Sequence, residues 1–263
     1  MRRRLAPVLE GRTLERVEIH DARLTRPKDP LLVAVELSGE RVTELDRRGK
    51  YLIVRFASGR ALLIHLRMTG SLLRDPVEAS HLRARLLLDD GTTVAYRDVR
   101  RFGTWFLLEP GELEPYLDER LGEEPLVAAF TAKGLGERLH GRRAPLKAAL
   151  LDQRTLAGLG NIYVDEALWY AKLSPLRPAG TLDRSELQRL HRAIRKALEL
   201  GIARQGSTLS DYRLPDGSSG TMQREFRAYG RTDEPCDRCG TPLEKIRAGG
   251  RGTWFCPRCQ TLP

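Results

Sequence analysis

The chain has 263 residues, enough for two modest domains or one large one. Lys and Arg number 45 against 35 Asp and Glu, a net charge of +10. That excess fits a polyanionic partner and fits equally a solvated surface in an Arg-rich, GC-rich genome. No apolar stretch approaches the length of a membrane span, and Met1-Arg2-Arg3-Arg4 is not followed by the apolar core of a signal peptide. A soluble intracellular protein is expected.

Residues 2–9 read as the tail of a helix ended by Gly11. Short apolar runs follow at 31–37, 51–56, 61–66, 86–88, 94–96 and 104–108, and all read as strands. Ser58-Gly59 and Asp90-Gly91 are hairpin signals. Closely spaced short strands predict an antiparallel sandwich or barrel. The Pro- and Glu-rich stretch 109–125 reads as an interdomain connection. Helices are expected at 130–140, 145–153, 162–171 and 185–203. The last aligns Leu187, Leu190, Ile194, Ala197 and Leu198 on one face, with Asp183 or Ser185 as its cap. The polar, glycine-rich segment 207–220 reads as a mobile loop.

All four cysteines lie near the end of the chain. Cys236 and Cys239 form one close pair, Cys256 and Cys259 the other, with sixteen residues, 240–255, between them. This is the spacing of a zinc ribbon in which each pair reaches one ion from a tight turn. Four thiolates close the coordination sphere, so one structural Zn2+ is expected and no chemistry at the metal. No cysteine is left over for a disulfide, as suits a reducing cytoplasm.

Other candidates are weaker one by one. The glycine-rich turn ending Gly160-Asn161 opens a helix, where backbone N–H groups and the helix dipole favour phosphate; most such turns are only caps. Arg100-Arg101-Phe102-Gly103 could press an apolar wedge and a donor into nucleic acid, or be a surface Arg pair beside a core Phe. Arg251 between two glycines suits a hairpin tip that meets phosphate, or one that is merely solubilised. His65 and Met68, at a strand end, are ordinarily structural, and the basic cluster around Lys50 is ordinarily solvated.

In order along the chain stand Lys50-Tyr51-Leu52, His65-Leu66-Arg67-Met68-Thr69-Gly70, Arg100-Arg101-Phe102-Gly103 and Leu121-Gly122-Glu123-Glu124-Pro125-Leu126. Leu159-Gly160-Asn161-Ile162-Tyr163, Asp165-Glu166-Ala167-Leu168, Tyr229-Gly230-Arg231 and the cysteine pairs follow. This ordered set resembles the formamidopyrimidine-DNA glycosylase family, nearer its formamidopyrimidine branch than endonuclease VIII, over nearly the whole chain. The resemblance implies an α+β multidomain fold. It would comprise an N-terminal antiparallel β-sandwich at 1–110, a linker at 111–125, a helix-two-turn-helix DNA-binding domain at 126–222 and a zinc-finger hairpin at 223–263. It implies a base-excision repair glycosylase and AP lyase that flips an oxidised purine out of duplex DNA, forms a Schiff base and breaks the strand by β- and δ-elimination. The expected partner is duplex DNA with an oxidised purine or abasic site, met by a monomer in the bacterial cytosol and nucleoid, with no membrane.

Carried over by position, Lys50 resembles the lysine that binds phosphate and donates a proton in β-elimination. Arg251 resembles the zinc-finger arginine assigned to δ-elimination and phosphate clamping. Met68, Arg100 and Phe102 resemble the residues that fill the void left by the flipped base. His81, Arg142 and Asn161 resemble DNA-contacting positions, His65, Lys147 and Tyr229 resemble phosphate contacts, and 207–220 resembles the segment that closes over the purine. The family opens Met-Pro-Glu-Leu-Pro-Glu-Val-Glu, with the proline as nucleophile and the glutamate as general acid. Met1-Arg2-Arg3-Arg4-Leu5-Ala6-Pro7 matches about nine residues further in. Two expectations follow: a misassigned start codon in a gene for an active enzyme, or a chain that binds damaged or abasic DNA without cutting it. A zinc-ribbon protein that binds RNA or ribosomes is a third, which explains charge and metal but not the void-filling set.

Overall fold

The structure, a computed structural model, describes residues 1–76 and 80–262. The chain divides into two compact units: Met1–Asp118 with Ser207–Gly220, and Glu119–Gly206 with the residues from Thr221 onward.

The first unit begins with helix α1 (Arg2–Leu9), which buries Leu5 and Leu9. Strand β1 (Leu14–Ile19) and helix α2 (Pro30–Leu37) lead into β2 (Val42–Arg48), β3 (Tyr51–Phe56), β4 (Ala61–His65) and β5 (Gly70–Arg74). Strands β6 (Leu82–Leu88), β7 (Thr93–Asp98) and β8 (Thr104–Leu108) complete two four-stranded antiparallel sheets, ordered β1-β6-β7-β5 and β2-β3-β4-β8. Leu52, Val54, Phe56, Leu62 and Ile64 of one sheet join Leu72, Leu86, Leu88, Val94 and Tyr96 of the other in a single buried cluster. The sandwich is thus two sheets closed over one apolar layer. Both hairpin signals mark real turns, Ser58-Gly59 between β3 and β4 and Asp90-Gly91 between β6 and β7.

Residues 31–37 are not the expected strand. Asp29 accepts a hydrogen bond from the Leu31 N–H at 2.7 Å, and Pro30 occupies the first turn, so α2 is capped as a helix. Val33, Ala34 and Leu37 share its buried face, while Leu31, Leu32 and Val35 are exposed. A short apolar run has no period of its own to decide between helix and strand, and here the cap decides.

Helix α3 (Leu113–Arg120) falls inside the stretch read as a connection and buries Leu113 and Leu117. The second unit holds α4 (Ala132–Leu139), α5 (Leu146–Leu151), α6 (Asn161–Ala171), α7 (Arg184–Ala203) and the hairpin of β9 (Glu244–Ala248) and β10 (Arg251–Phe255). Helix α7 starts in a full capping box, Asp183 with Glu186, and buries Leu190, Ala193, Ile194 and Ala197 against α4 and α6. Helix α6 is buried almost throughout, including two adjacent carboxylates, Asp165 and Glu166. Among the described residues no helix is long and apolar enough to cross a membrane.

Candidate nucleic-acid interface and zinc site

In the first unit, two turns are tied together at one buried carboxylate. Asp98, at the end of β7, accepts from the Thr69 hydroxyl and from the Gly103 N–H at 2.8 Å. Thr69 Oγ1 in turn accepts from the Arg100 N–H at 3.1 Å. Arg101 stands at a φ of +58° and is held by a bidentate pair to Asp21, at 2.6 and 2.8 Å. That pairing holds the Asp21 carboxyl down at about 2. Gly103 admits no side chain, since a Cβ there would lie 1.7 Å from the Tyr96 hydroxyl. On this frame Met68 and Phe102 stand 60% and 50% exposed. The Arg100 guanidinium lies 4.8 Å over the Phe102 ring and 3.3 Å from Met68 Sδ. The three expected void-filling side chains therefore form one exposed cluster on a rigid support, and the surface-Arg, core-Phe alternative is excluded by the exposed Phe102. Sequence reasoning missed Asp98 and Asp21, whose only signal is an acidic residue near the Arg-Arg-Phe-Gly turn or far from it in sequence.

Lys50 is exposed at the turn joining β2 and β3. Tyr51 is paired with His65 across β3 and β4, and the two rings meet edge-on at 5.0 Å. His65 Nδ1 accepts from the Arg67 N–H at 3.0 Å, which leaves Nε2 as the proton-bearing donor. Burial, with the nearby Arg67 and Lys50 charges, lowers its pKa to about 4. His65 is thus a neutral donor beside two cations, an arrangement suited to a phosphate oxygen. His81 is exposed at a φ of +61°, and its carbonyl accepts from the Asp98 N–H at 3.1 Å. The segment 207–220 has no regular structure but is anchored within this unit. Arg213 N–H donates to Ser71 Oγ at 3.0 Å, Arg74 N–H to Pro215 O at 2.8 Å, Asp216 pairs with Arg4, and Leu214 is buried.

In the second unit the β9–β10 turn, Gly249-Gly250, carries the exposed Arg251 at its exit. The next carbonyl, Gly252 O, accepts from Lys147 Nζ at 2.8 Å and from Asn161 Nδ2 at 3.1 Å. Asn161 is the first residue of α6, beyond the N-cap Gly160, so its side chain turns to the hairpin while the helix N-terminus remains a cluster of backbone donors. The Tyr229 ring lies 4.5 Å from Trp254, with its hydroxyl beside the Asn161 side chain. Arg142 pairs with Asp152 at 3.1 Å and donates to Arg138 O at 3.0 Å. Lys147 departs from expectation. It is fully buried, its ammonium 2.7 Å from Asp165 Oδ1 as well as on Gly252 O, so it is not presented to a phosphate. Burial pushes Lys147 down and Asp165 up to about 7, each opposed by the charge of the other.

Glu166, also fully buried, accepts the N–H groups of Arg227, Ala228 and Tyr229, each at 2.9 Å. Below the hairpin the Sγ atoms of Cys236, Cys239, Cys256 and Cys259 lie within 4.8 Å of one another. A tetrahedral ion with bonds of about 2.3 Å needs sulfurs about 3.8 Å apart, and Cys239 and Cys256 stand at 3.5 Å. The four thiolates fit a structural zinc ion with no open position. Trp169 of α6 packs in the same cluster with Arg238 3.9 Å over its ring, and Gln260 bridges Cys256 N and Leu173 O.

Three family models match. They are the formamidopyrimidine-DNA glycosylase N-terminal domain over residues 1–105, its H2TH domain over 121–213, and the zinc finger found in FPG and IleRS over 233–262. A formamidopyrimidine-DNA glycosylase of Symbiobacterium thermophilum is 46% identical over 100% of this chain and 87% of its own length. The crystal structure of the MutM (Fpg) protein of Thermus thermophilus superposes with a TM-score of 0.88 at 44% identity, covering 100% of this chain and 96% of that one. A Lactococcus lactis Fpg in complex with DNA containing an abasic site gives 0.91 at 36%, over 99% and 96%. The chain belongs to the formamidopyrimidine-DNA glycosylase family.

Proposed function

We propose that the protein is a base-excision repair enzyme, a DNA glycosylase and AP lyase that acts on duplex DNA carrying an oxidised purine or an abasic site. One observation carries the reading: Met68, Arg100 and Phe102 project together from a support fixed by Asp98 and Asp21. Exposed apolar side chains on a locked frame suit insertion into a base stack, and extruding a base costs a few kcal/mol that such a wedge offsets. The attacking amine, which the family places ahead of α1, replaces the base at the sugar C1′. Residues of each unit take backbone phosphates. Lys50 and the neutral Nε2–H of His65 take phosphate oxygens, and Lys50 is the proton donor for β-elimination. The N-terminus of α6 with Asn161, and Arg251 at the hairpin tip, take further phosphates, and Arg251 serves δ-elimination. Zinc supplies rigidity beneath that tip and no chemistry. His81, Arg142 and Tyr229 complete the DNA-contacting set, and the protein acts as a monomer in the bacterial cytosol and nucleoid.

The test is fluorescence anisotropy with a duplex bearing a tetrahydrofuran abasic analogue, an undamaged duplex and a structured RNA, together with incision of an 8-oxoguanine duplex. At least about tenfold preference for the abasic duplex at fixed salt is expected. Equal affinity for all three would overturn the reading, and tighter binding to RNA would favour the ribosome- or RNA-binding alternative.

A further inference from the structure

Burial withdraws Lys147 from the phosphate contact expected of it and leaves the Lys147–Asp165 pair without a task. A buried ion pair is poor evidence of stability, because desolvating both charges cancels much of their attraction. Its geometry says what else it does. In an antiparallel pair alternate residues turn their backbone groups away from the partner strand. On β10 the groups of Gly252 and Trp254 are both taken by side chains: Gly252 O by Lys147 Nζ at 2.8 Å, Trp254 N–H by Asp165 Oδ2 at 3.2 Å. Lys147 and Asp165, themselves 2.7 Å apart, thus present a donor and an acceptor to the edge of β10 as a neighbouring strand would. The tip is pressed on the same support, since a Cβ on Gly249 would lie 3.0 Å from the Ala148 Cβ, one residue along α5 from Lys147. Arg251 is the residue next to the gripped carbonyl, and it is exposed.

We infer that Lys147 and Asp165 are positioning residues: through the edge of β10 they fix where the Arg251 guanidinium stands on the DNA backbone. The inference rests on the proposed DNA-repair function and adds two residues that act without touching DNA. It replaces a direct phosphate contact by Lys147 with an indirect one. It also gives Asp165 a task in the interior, since its carboxylate stands 2.7 Å from an ammonium that otherwise meets the Arg251 charge and a carbonyl.

The experiment is a double-mutant cycle on the zinc-loaded protein, Lys147→Met against Arg251→Ala, read as affinity for the abasic-analogue duplex from low to moderate salt. Arg251→Ala is expected to weaken binding about tenfold and to lower the slope of log affinity on log salt by about 1. Lys147→Met should lose about fivefold and lower the slope by a similar amount, although no phosphate touches it. The double variant should be within about twofold of Arg251→Ala alone. Losses that multiply to about fiftyfold, or an unchanged salt slope in Lys147→Met, would overturn the inference. Should Lys147→Met alone not fold, Lys147→Met with Asp165→Leu removes both buried charges together and carries the same cycle. Zinc stoichiometry is measured on every variant. A wild type with no preference for the abasic duplex overturns the parent function and this inference with it, whereas a preferring wild type with multiplicative losses overturns the inference alone.

Discussion

Glu166→Gln is the sharpest test of how the second unit is held together. The carboxylate is fully buried and takes three backbone N–H groups at 2.9 Å, two on Oε1 and one on Oε2. Glutamine keeps the volume, and its amide oxygen can keep Ala228 and Tyr229. Its NH2 then faces the Arg227 N–H, donor against donor. Stranding that buried N–H costs about 1 to 3 kcal/mol. The two bonds that remain lose their charge assistance, together about 2 kcal/mol. Against this, burial pushes the Glu166 pKa up, so removing the buried charge offsets part of that loss. The balance is a destabilisation of about 1 to 4 kcal/mol, which lowers the melting temperature by roughly 2 to 16 °C. Thermal melts of zinc-loaded wild type and variant measure it, and hydrogen exchange at 227–229 localises it. A variant within about 0.5 kcal/mol of wild type, or one whose exchange at 227–229 is unchanged, would refute the claim that this carboxylate holds the segment.

Other outcomes are expected. Chelation should release the ion, unfold the β9–β10 hairpin and abolish DNA binding, since a four-thiolate site contributes on the order of 10 kcal/mol to folding; circular dichroism and anisotropy with excess chelator check this, and intact affinity would remove the hairpin from the interface. Phe102→Ala should cut the preference for abasic over undamaged duplex by about tenfold with little change in melting temperature, because the ring is half exposed. His65 carries a pKa of about 4 in the fold against its ordinary 6.5. The unfolded chain therefore binds the proton first, so stability is complete above about pH 6.5 and falls by about 3 kcal/mol towards pH 4. Denaturant titrations of His65→Gln should show that part of the acid limb flattened.

The legible parts of the sequence were those where a period or a spacing repeats a physical unit. The amphipathic face of α7 with its Asp183 cap, the two glycine turns and the paired cysteines all stand where the pattern put them. Strands β1, β2 and β5 were not anticipated, and each lies at a sheet edge. β1 (Leu-Glu-Arg-Val-Glu-Ile) and β2 (Val-Thr-Glu-Leu-Asp-Arg-Arg) are charged, and β5 (Gly-Ser-Leu-Leu-Arg) has an apolar run of two residues. Charge at an edge blocks pairing with other chains and also hides the apolar run that marks a strand. The α2 helix was lost for the opposite reason, a run so apolar that only Asp29 and Pro30 reveal it. The buried acids Asp21, Asp98, Asp165 and Glu166 could not be told from surface charge, because their partners are remote in sequence. Lys147 was misplaced by the same blindness: its position in the chain is visible, its burial is not.

The adjacent carboxylates of α6 also bear on the order of folding. The β9–β10 hairpin pairs across a tight turn, and its metal closes a short loop, so both form locally and soon. Its seat does not: Trp254 reaches back 89 residues to Asp165, and the 227–229 backbone 61 to 63 residues to Glu166. Docking the hairpin on α6 is therefore the long-range step, and it is the step that gives the arginine at its tip a fixed address.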